Sequence, residues 1–208
     1  MTGPNGSGKS TLLRLILGEL HPYPGGAVTR FGSSDPIPIW DLKTRIGFFS
    51  PELQSRHTST QTVLETVVSG LRGHEGLHQP ATASEIQIGR SLLDEHGIGS
   101  LQDQNVHCLS NGQQRLVFLL RAMINTPSIL LLDEPCSGLD MANRQRLLQS
   151  IERLARNRTQ IVMVSHSLED HIPSINRWLR LENGRVAEVV ECDVREMHMN
   201  SFRGRSLR

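Results

Sequence analysis

Apolar positions along this chain follow two rhythms, helical and strand-like, which divide it into three stretches. In the first, the run LLRLILGEL predicts a helix from Lys9 to Leu20. His21-Pro22 and Pro24-Gly25-Gly26 end it, because proline cannot continue a helix and glycine frees the turn. A short strand is expected over Ala27–Phe31, a loop at Pro36–Pro38, a buried strand at Ile46–Phe49 closed by Pro51, and a polar loop from Gln54 to Ser59. From Thr60 to Asn125 the period becomes helical. Val63, Leu64, Val67, Val68 and Leu71 share one stripe, and Gly73–Pro80 reads as an exposed connection. A second helix begins near Ser84, where Ser84 and Gln87 have capping-box spacing, and stops at Gly97. A third opens at Gly112 and carries Leu116, Leu119, Leu120 and Met123.

The last stretch returns to strands. SILLLDEP is a short apolar run ending in acid, the pattern of a central parallel strand, and Gln160–Ser165 is the next buried strand. Between them Leu147, Leu148, Ile151, Leu154 and Ala155 recur at helical spacing from Ala142 to Arg156. WLRLENGRVAEVV reads as two strands around Asn183-Gly184, a type I′ hairpin signal. Beyond Glu191 the pattern is lost, and Arg203, Arg205 and Arg208 mark a solvated tail.

Composition narrows the partners. A chain of 208 residues is one domain, or one domain with an inserted subdomain, and 22 basic against 21 acidic residues leave a net charge of +1. That balance gives no global pull towards nucleic acid or anionic lipid. Cys108, Cys136 and Cys192 are widely spaced and match no metal pattern, which fits unpaired thiols in a reducing cytoplasm. His74, His78, His96 and His107 are irregularly spaced with no acidic or cysteine cluster beside them, and read as solvated loop residues. The longest apolar runs, Val117–Leu120 and Ile129–Leu132, are too short to cross a bilayer, and no signal peptide is visible. Any membrane role therefore needs a separate partner.

The chemistry starts at GPNGSGKST, which has the P-loop spacing G-x-x-x-x-G-K-[ST]. In the loop Gly3, Pro4, Asn5, Gly6, Ser7 and Gly8, expected to bind the nucleotide, the glycines let the backbone curl so that successive N–H groups converge on a phosphate chain. Lys9 adds charge for the β- and γ-phosphates, Ser10 offers a hydroxyl to magnesium, and Thr11 sits in the first turn of the helix. That helix aims the positive end of its dipole at the same phosphates. Asp133 ends the strand ILLLD, where a carboxylate holds magnesium directly or through water. Glu134 follows, placed to orient and deprotonate water; an acidic pair at a strand end otherwise serves as a helix cap or a surface ion pair. The fold expected from these pieces is α/β, a P-loop core sheet over residues 1–57 and 126–190, with a helical subdomain inserted at 58–125 and a tail at 191–208.

The segment Leu109-Ser110-Asn111-Gly112-Gln113 resembles the LSGGQ signature of ATP-binding cassette (ABC) ATPases, with Asn111 in place of the first glycine. Ser137-Gly138-Leu139-Asp140 resembles that family's D-loop, and His166, 33 residues beyond Asp133, its switch histidine. The resemblance runs from Gly3 to about Val190. It implies ATP and Mg²⁺ as ligands and ATP hydrolysis as the activity, with Glu134 as base and His166 at the γ-phosphate. It also implies a head-to-tail pair in which Ser110, Gly112, Gln113 and Asp140 of one cassette meet the nucleotide of the other. IWDLK, IGFFSPELQ and LSNGQQRL look most like the molybdate-transport-like ATPases, also linked to photorepair.

Two departures from the family matter. Pro51 stands where the lever glutamine is expected, so Gln54 either takes its place at the magnesium or is a loop residue with no contact to it. Only Met1 and Thr2 precede the P-loop, so the family's opening strands and adenine-stacking ring are not seen and an N-terminally truncated cassette is expected. The strands of Phe48 and Leu131 are expected to neighbour the missing strand and so to lose a partner. Three outputs stay open: the cytoplasmic motor of a transporter bound to a membrane permease, a soluble ABC ATPase acting on a macromolecule, and a remnant that binds nucleotide without hydrolysis.

Overall fold

Leu130, Leu131 and Leu132 are fully buried in the middle strand of a three-stranded parallel sheet, covered on both faces by helices. The computed structural model describes residues 1–56, 60–73, 79–157, 159–167 and 169–191. Its elements in chain order are α1 (Lys9–Leu17), α2 (Ile39–Arg45), β1 (Ile46–Phe49), α3 (Pro51–Arg56), α4 (Val63–Ser69), α5 (Ala83–Glu95), α6 (Asn111–Met123), β2 (Ile129–Asp133), α7 (Met141–Arg156), β3 (Gln160–Val164), β4 (Arg177–Glu182) and β5 (Arg185–Glu191). The parallel sheet has the order β1-β2-β3, and β4 and β5 form an antiparallel hairpin. Alternation along β2 sorts the core. Leu131 joins Leu13, Leu17, Leu42, Ile46 and Val164 under α1 and α2, while Leu130 and Leu132 join the larger cluster under α4 to α7. That larger cluster runs without a break from Phe49 and Met163 of the sheet to Val67, Leu93 and Leu119 of the helical segment. Each such buried side chain contributes about 1.5–3 kcal/mol.

Local chemistry explains most of the boundaries. α1 stops at Leu17, three residues before the expected Leu20, because Gly18 adopts φ 85° and closes the helix with its N–H on Leu15 O and Arg14 O. The strand expected at Ala27–Phe31 does not form, and only an isolated Arg30–Ser33 bridge is present. Its residues serve their neighbours instead. The Arg30 guanidinium donates to the carbonyls of Leu15 and Ile16 at the end of α1, and Phe31 lies under Arg45 at 3.5 Å. The segment IWDLK, left without an element by its pattern, is α2, with Leu42 buried, Asp41 in the first turn and Lys43 and Arg45 in the last. Pro51 does close β1, but it also opens the short helix α3, so Gln54 is helical and not in a loop; residues 57–59 lie outside the described chain.

Capping decides the helical segment. α4 carries a Thr62–Glu65 capping box, and α5 starts at Ala83 with a Thr82–Glu85 box in place of the Ser84–Gln87 one. Glu85 wins because its carboxylate also takes a two-pronged contact from Arg72, which pulls its pKa down to about 2. α6 begins at Asn111 with Ser110 as N-cap and Gln113 closing the box, and α7 begins at Met141 with Asp140 as N-cap. Gly47 of β1 leaves no room for a side chain, since an added Cβ would lie 2.1 Å from the Ala122 carbonyl oxygen. The sheet and α6 thus meet backbone to backbone. The hairpin turn forms as expected, with φ 48° at Asn183 and 73° at Gly184.

Met1 and Thr2 fill a place the sequence pattern did not assign. Met1 Nα donates to Met163 O at 2.6 Å and Ser165 N–H to Met1 O, while Thr2 exchanges hydrogen bonds with Leu179 and Leu181. The strands flanking the entry to the P-loop are therefore β3 and β4. Those of Phe48 and Leu131, expected to flank it, are β1 and β2, which pair with each other on the far side of β3.

Candidate functional site

The P-loop is already curled. Gly3, Gly6 and Gly8 have φ 148°, 76° and 99°, and Ser7 N–H closes a turn on Pro4 O at 3.1 Å. The hairpin braces the loop from outside, with Gly184 N–H on Ser7 O at 3.1 Å. At Gly3 a Cβ would lie 2.3 Å from Leu181 O, so only glycine lets β4 approach so closely. The loop that sequence patterning leaves without a strand thus has a scaffold of Thr2, β4 and the Asn183-Gly184 turn. Inside the curl Lys9 is 7 % exposed, and its ammonium donates to Gly3 O at 2.9 Å and Pro4 O at 3.0 Å. Ser7 Oγ is buried with no hydrogen-bond partner. A buried cation resting only on two neutral carbonyls is better matched by an anion.

Beside the loop lies an open cleft of about 330 Å³ whose lining includes Ser10, Thr11, Ser50, Glu52, Asp133 and Glu134. Parallel pairing of Asp133 with Val164 brings the end of β2 level with the end of β3, and with it the residues that follow each strand. Glu134 leaves β2 in the left-handed region, φ 47°, with its N–H on Val164 O. That turn aims its carboxylate at His166, Oε1 to Nε2 2.8 Å, with both side chains partly exposed. Ser10, Asp133, Glu134 and His166, read separately from the sequence, are thereby grouped at one end of the sheet next to the P-loop. The signal for this was the length of the two strands, since equal parallel strands end together.

Ser110, Gly112, Gln113 and Asp140 do not line that cleft. They form a second group at the exposed starts of α6 and α7. Ser110 N–H donates to Gln113 Oε1, and Asp140 accepts from the backbone and side chain of Asn143, contacts that hold its carboxyl below the usual range. An added Cβ on Gly112 would meet the Asn143 side chain at 2.5 Å, so the two helix starts touch across that asparagine.

Gln54 is the residue the structure places elsewhere. Its amide nitrogen donates to Gln114 Oε1 of α6 at 3.1 Å and it is not among the residues lining the cleft, while its own Oε1 is buried without a hydrogen-bond partner. Once Pro51 starts a helix, the side chain three residues on points to α6, while Glu52 lines the cleft and pairs with Arg14 of α1. Glu52 and Ser50 were both missed, and the Pro-Glu start of a helix was the available signal. Of the histidines, His96 is half-buried against Ser150 Oγ at 3.2 Å, whereas His74 and His78 lie outside the described residues. Among the described residues no group of three His, Cys, Asp or Glu side chains could hold a metal, and no helix is long and apolar enough to cross a membrane. The Cys136 thiol is buried, which together with nearby Asp170 pushes it up to about 12 and leaves it inert.

Comparison with known proteins bears on this geometry. The family model described as ABC transporter matches residues 1–137. The ABC transporter ATP-binding protein ModF of Escherichia coli K12 is 38% identical over 175 residues, 82% of this chain but 36% of that protein, so the chain spans little more than a third of that relative. The zinc uptake system ATP-binding protein ZurA of Listeria innocua is 34% identical over 189 residues, covering 85% of this chain and 71% of that one. A dimeric ATP-binding cassette in a post-hydrolysis state with ADP and phosphate has a similar fold, TM-score 0.75 at 23% identity, over 91% of this chain and 83% of its own.

Proposed function

The chain belongs to the ABC transporter family and carries its ATPase fold, and we propose that it binds MgATP beside the P-loop and hydrolyses it as one cassette of a head-to-tail pair. The observation that carries the reading is the 2.8 Å contact between Glu134 and His166, in line with a cleft that also presents Ser10 and Asp133. The phosphates fit the curl in place of the Gly3 and Pro4 carbonyls as partners of Lys9, and the amides of Gly6 and of Gly8 to Thr11 at the start of α1 complete the anion site. The hydroxyl of Ser10 and the carboxylate of Asp133 are hard oxygen donors of the kind magnesium takes, so the residues fit the ion. When bound, magnesium supplies charge that orients and neutralises the β- and γ-phosphate oxygens.

Glu134 accepts a proton from the attacking water, and His166, with Nε2 2.8 Å from that carboxylate, keeps it beside the place the γ-phosphate would take. The water oxygen bonds to the γ-phosphorus, the bond to the bridging oxygen breaks, and ADP and inorganic phosphate leave. Ser110, exposed at the start of α6, with the half-buried Gly112 and Gln113 after it, is read as the surface that meets the γ-phosphate of a second cassette, with Asp140 beside them. The dimeric neighbour of the same fold supports that pairing. Relatives named for transport and uptake support a membrane permease as the further partner, with this chain on its cytoplasmic side.

Phosphate release by the purified chain tests the reading. It is expected with Mg²⁺, to vanish with EDTA, and to rise when a membrane protein is co-purified. Binding of ATP without hydrolysis at any protein concentration would sink it, and turnover with no membrane protein captured would favour a soluble ATPase. Gln54→Ala is expected to leave the magnesium dependence of that activity unchanged, because the Gln54 amide sits on Gln114. A Mg²⁺ titration whose midpoint moves in this variant would return Gln54 to the metal.

A further inference from the structure

The first turns of α6 do more than present Ser110 and Gly112. One turn after Gly112, Arg115 reaches across to the end of β2, and its Nη1 donates to Pro135 O at 2.9 Å and Glu134 O at 3.3 Å. No carboxylate among the described residues forms an ion pair with it, and burial pulls its guanidinium below the usual range. A half-buried cation is thus aimed at two adjacent carbonyls, one of them that of Glu134. This is the peptide that needs holding. Glu134 is not glycine and yet has φ 47°, a conformation that persists only when its surroundings impose it. Its N–H is tied to Val164 O at the end of β3, and its carbonyl takes the Ser137 N–H at 3.2 Å as well as Arg115. β3 and the following turn belong to the sheet side of the site; Arg115 alone among these contacts comes from the helix whose N-terminus carries Ser110 and Gly112.

We infer that Arg115 is a positioning residue for Glu134, which it ties to α6, so that the carboxylate is aimed correctly only when the start of that helix is in place. The inference rests on Glu134 acting as the base. Burial of Val117, Phe118, Leu119 and Leu120 already fixes α6 to the core, so the Arg115 contact is not needed to keep the helix folded. Its effect is on direction. A shift of the α6 start, of the kind a phosphate arriving at Ser110 from another cassette would impose, reaches the base through one side chain.

Two variants of the full chain test this, Arg115→Met, which keeps apolar bulk but removes every donor, and Arg115→Lys, which keeps the charge and a single donor nitrogen in place of the guanidinium fork. In Arg115→Met kcat is expected to fall about ten- to a hundredfold, chiefly through loss of the charge-assisted hydrogen bond to the Glu134 carbonyl, with KM for ATP within about twofold of wild type. Arg115→Lys is expected to recover part of kcat at the same KM. Independently of turnover, hydrogen exchange of the nucleotide-free protein is expected to quicken about tenfold at the Glu134 and Ser137 amides in Arg115→Met, with the P-loop amides unchanged. Unchanged exchange there, an unchanged kcat, or a KM that rises in step with a falling kcat overturns the inference. If Arg115→Met does not fold, wild-type kcat in Arg115→Lys overturns it alone. Wild-type protein that never hydrolyses ATP overturns the ATPase reading, and the exchange data then decide whether Arg115 holds Glu134.

Discussion

Glu134→Gln is expected to stop ATP turnover and leave ATP binding intact. Glutamine has the same shape, tolerates the same backbone, and keeps an oxygen facing His166 Nε2, so the 2.8 Å contact survives in geometry. What it cannot do is take a proton from water. Removing a positioned base costs about 10²–10⁴-fold in rate, whereas nothing in the phosphate curl is touched. The Glu134 N–H and C=O remain bonded to Val164 O and to Arg115 and Ser137, so the strained turn is also preserved. In the proposed pair, which opens on hydrolysis, the block keeps two ATP-bound cassettes closed, so the variant is expected to accumulate as a dimer on a sizing column in ATP but not in ADP. The two measurements are phosphate release and elution volume. Wild-type turnover in this variant would remove Glu134 from the mechanism and leave its pairing with His166 as a structural contact.

Lys9→Ala is expected to act on the opposite step. The Lys9 ammonium is buried without a carboxylate partner among the described residues and rests on Gly3 O and Pro4 O, bonds of the neutral-acceptor kind that water or phosphate replaces with gain. Its bond to a phosphate would be charge-assisted on both sides, worth about 1.5–3 kcal/mol, so its loss lowers ATP affinity about 10–100-fold. The melting temperature should change little, because α1 is held by Leu13 and Leu17 in the core and by the Gly18 cap. Calorimetric titration with a non-hydrolysable ATP analogue reads the affinity, and thermal unfolding reads the fold. Unaltered affinity would mean that the loop amides and the α1 dipole bind the phosphates unaided, and that Lys9 serves only to close the empty loop.

The two variants separate binding from chemistry because the site is assembled from separate parts. Lys9 and Ser10 stand at the start of α1, Asp133 and Glu134 at the end of β2, and His166 after β3. Arg115 adds a fourth element, α6, to the same point. The exposed groups of Ser110 and Asp140 form a separate surface joined to the first through α6 and α7, the surface at which the proposed pairing would bring in a second cassette.

By itself the sequence determined the features that depend on near neighbours in the chain. A P-loop is a run of glycines before a lysine, and its curl follows from which residues accept positive φ; the Asn183-Gly184 turn and the buried strand ILLLD are legible for the same reason. The Gln54 side chain, the Thr82 cap and the missing strand at Ala27–Phe31 were decided at a distance. Gln54 met Gln114 from 60 residues away once Pro51 had begun a helix, Glu85 was claimed by Arg72 in competition with Gln87, and Arg30 found free carbonyls at the end of α1 in place of a strand partner. The neighbours of the P-loop entry were decided in the same way. Parallel strands pair by position in the sheet and not by order in the chain, so only the folded molecule sets Met1 and Thr2 between β3 and β4. Periodicity reports which face of an element is apolar, but a hydrogen bond between residues far apart in sequence leaves no period, and the direction of a polar side chain is set by whichever partner the fold brings within 3 Å.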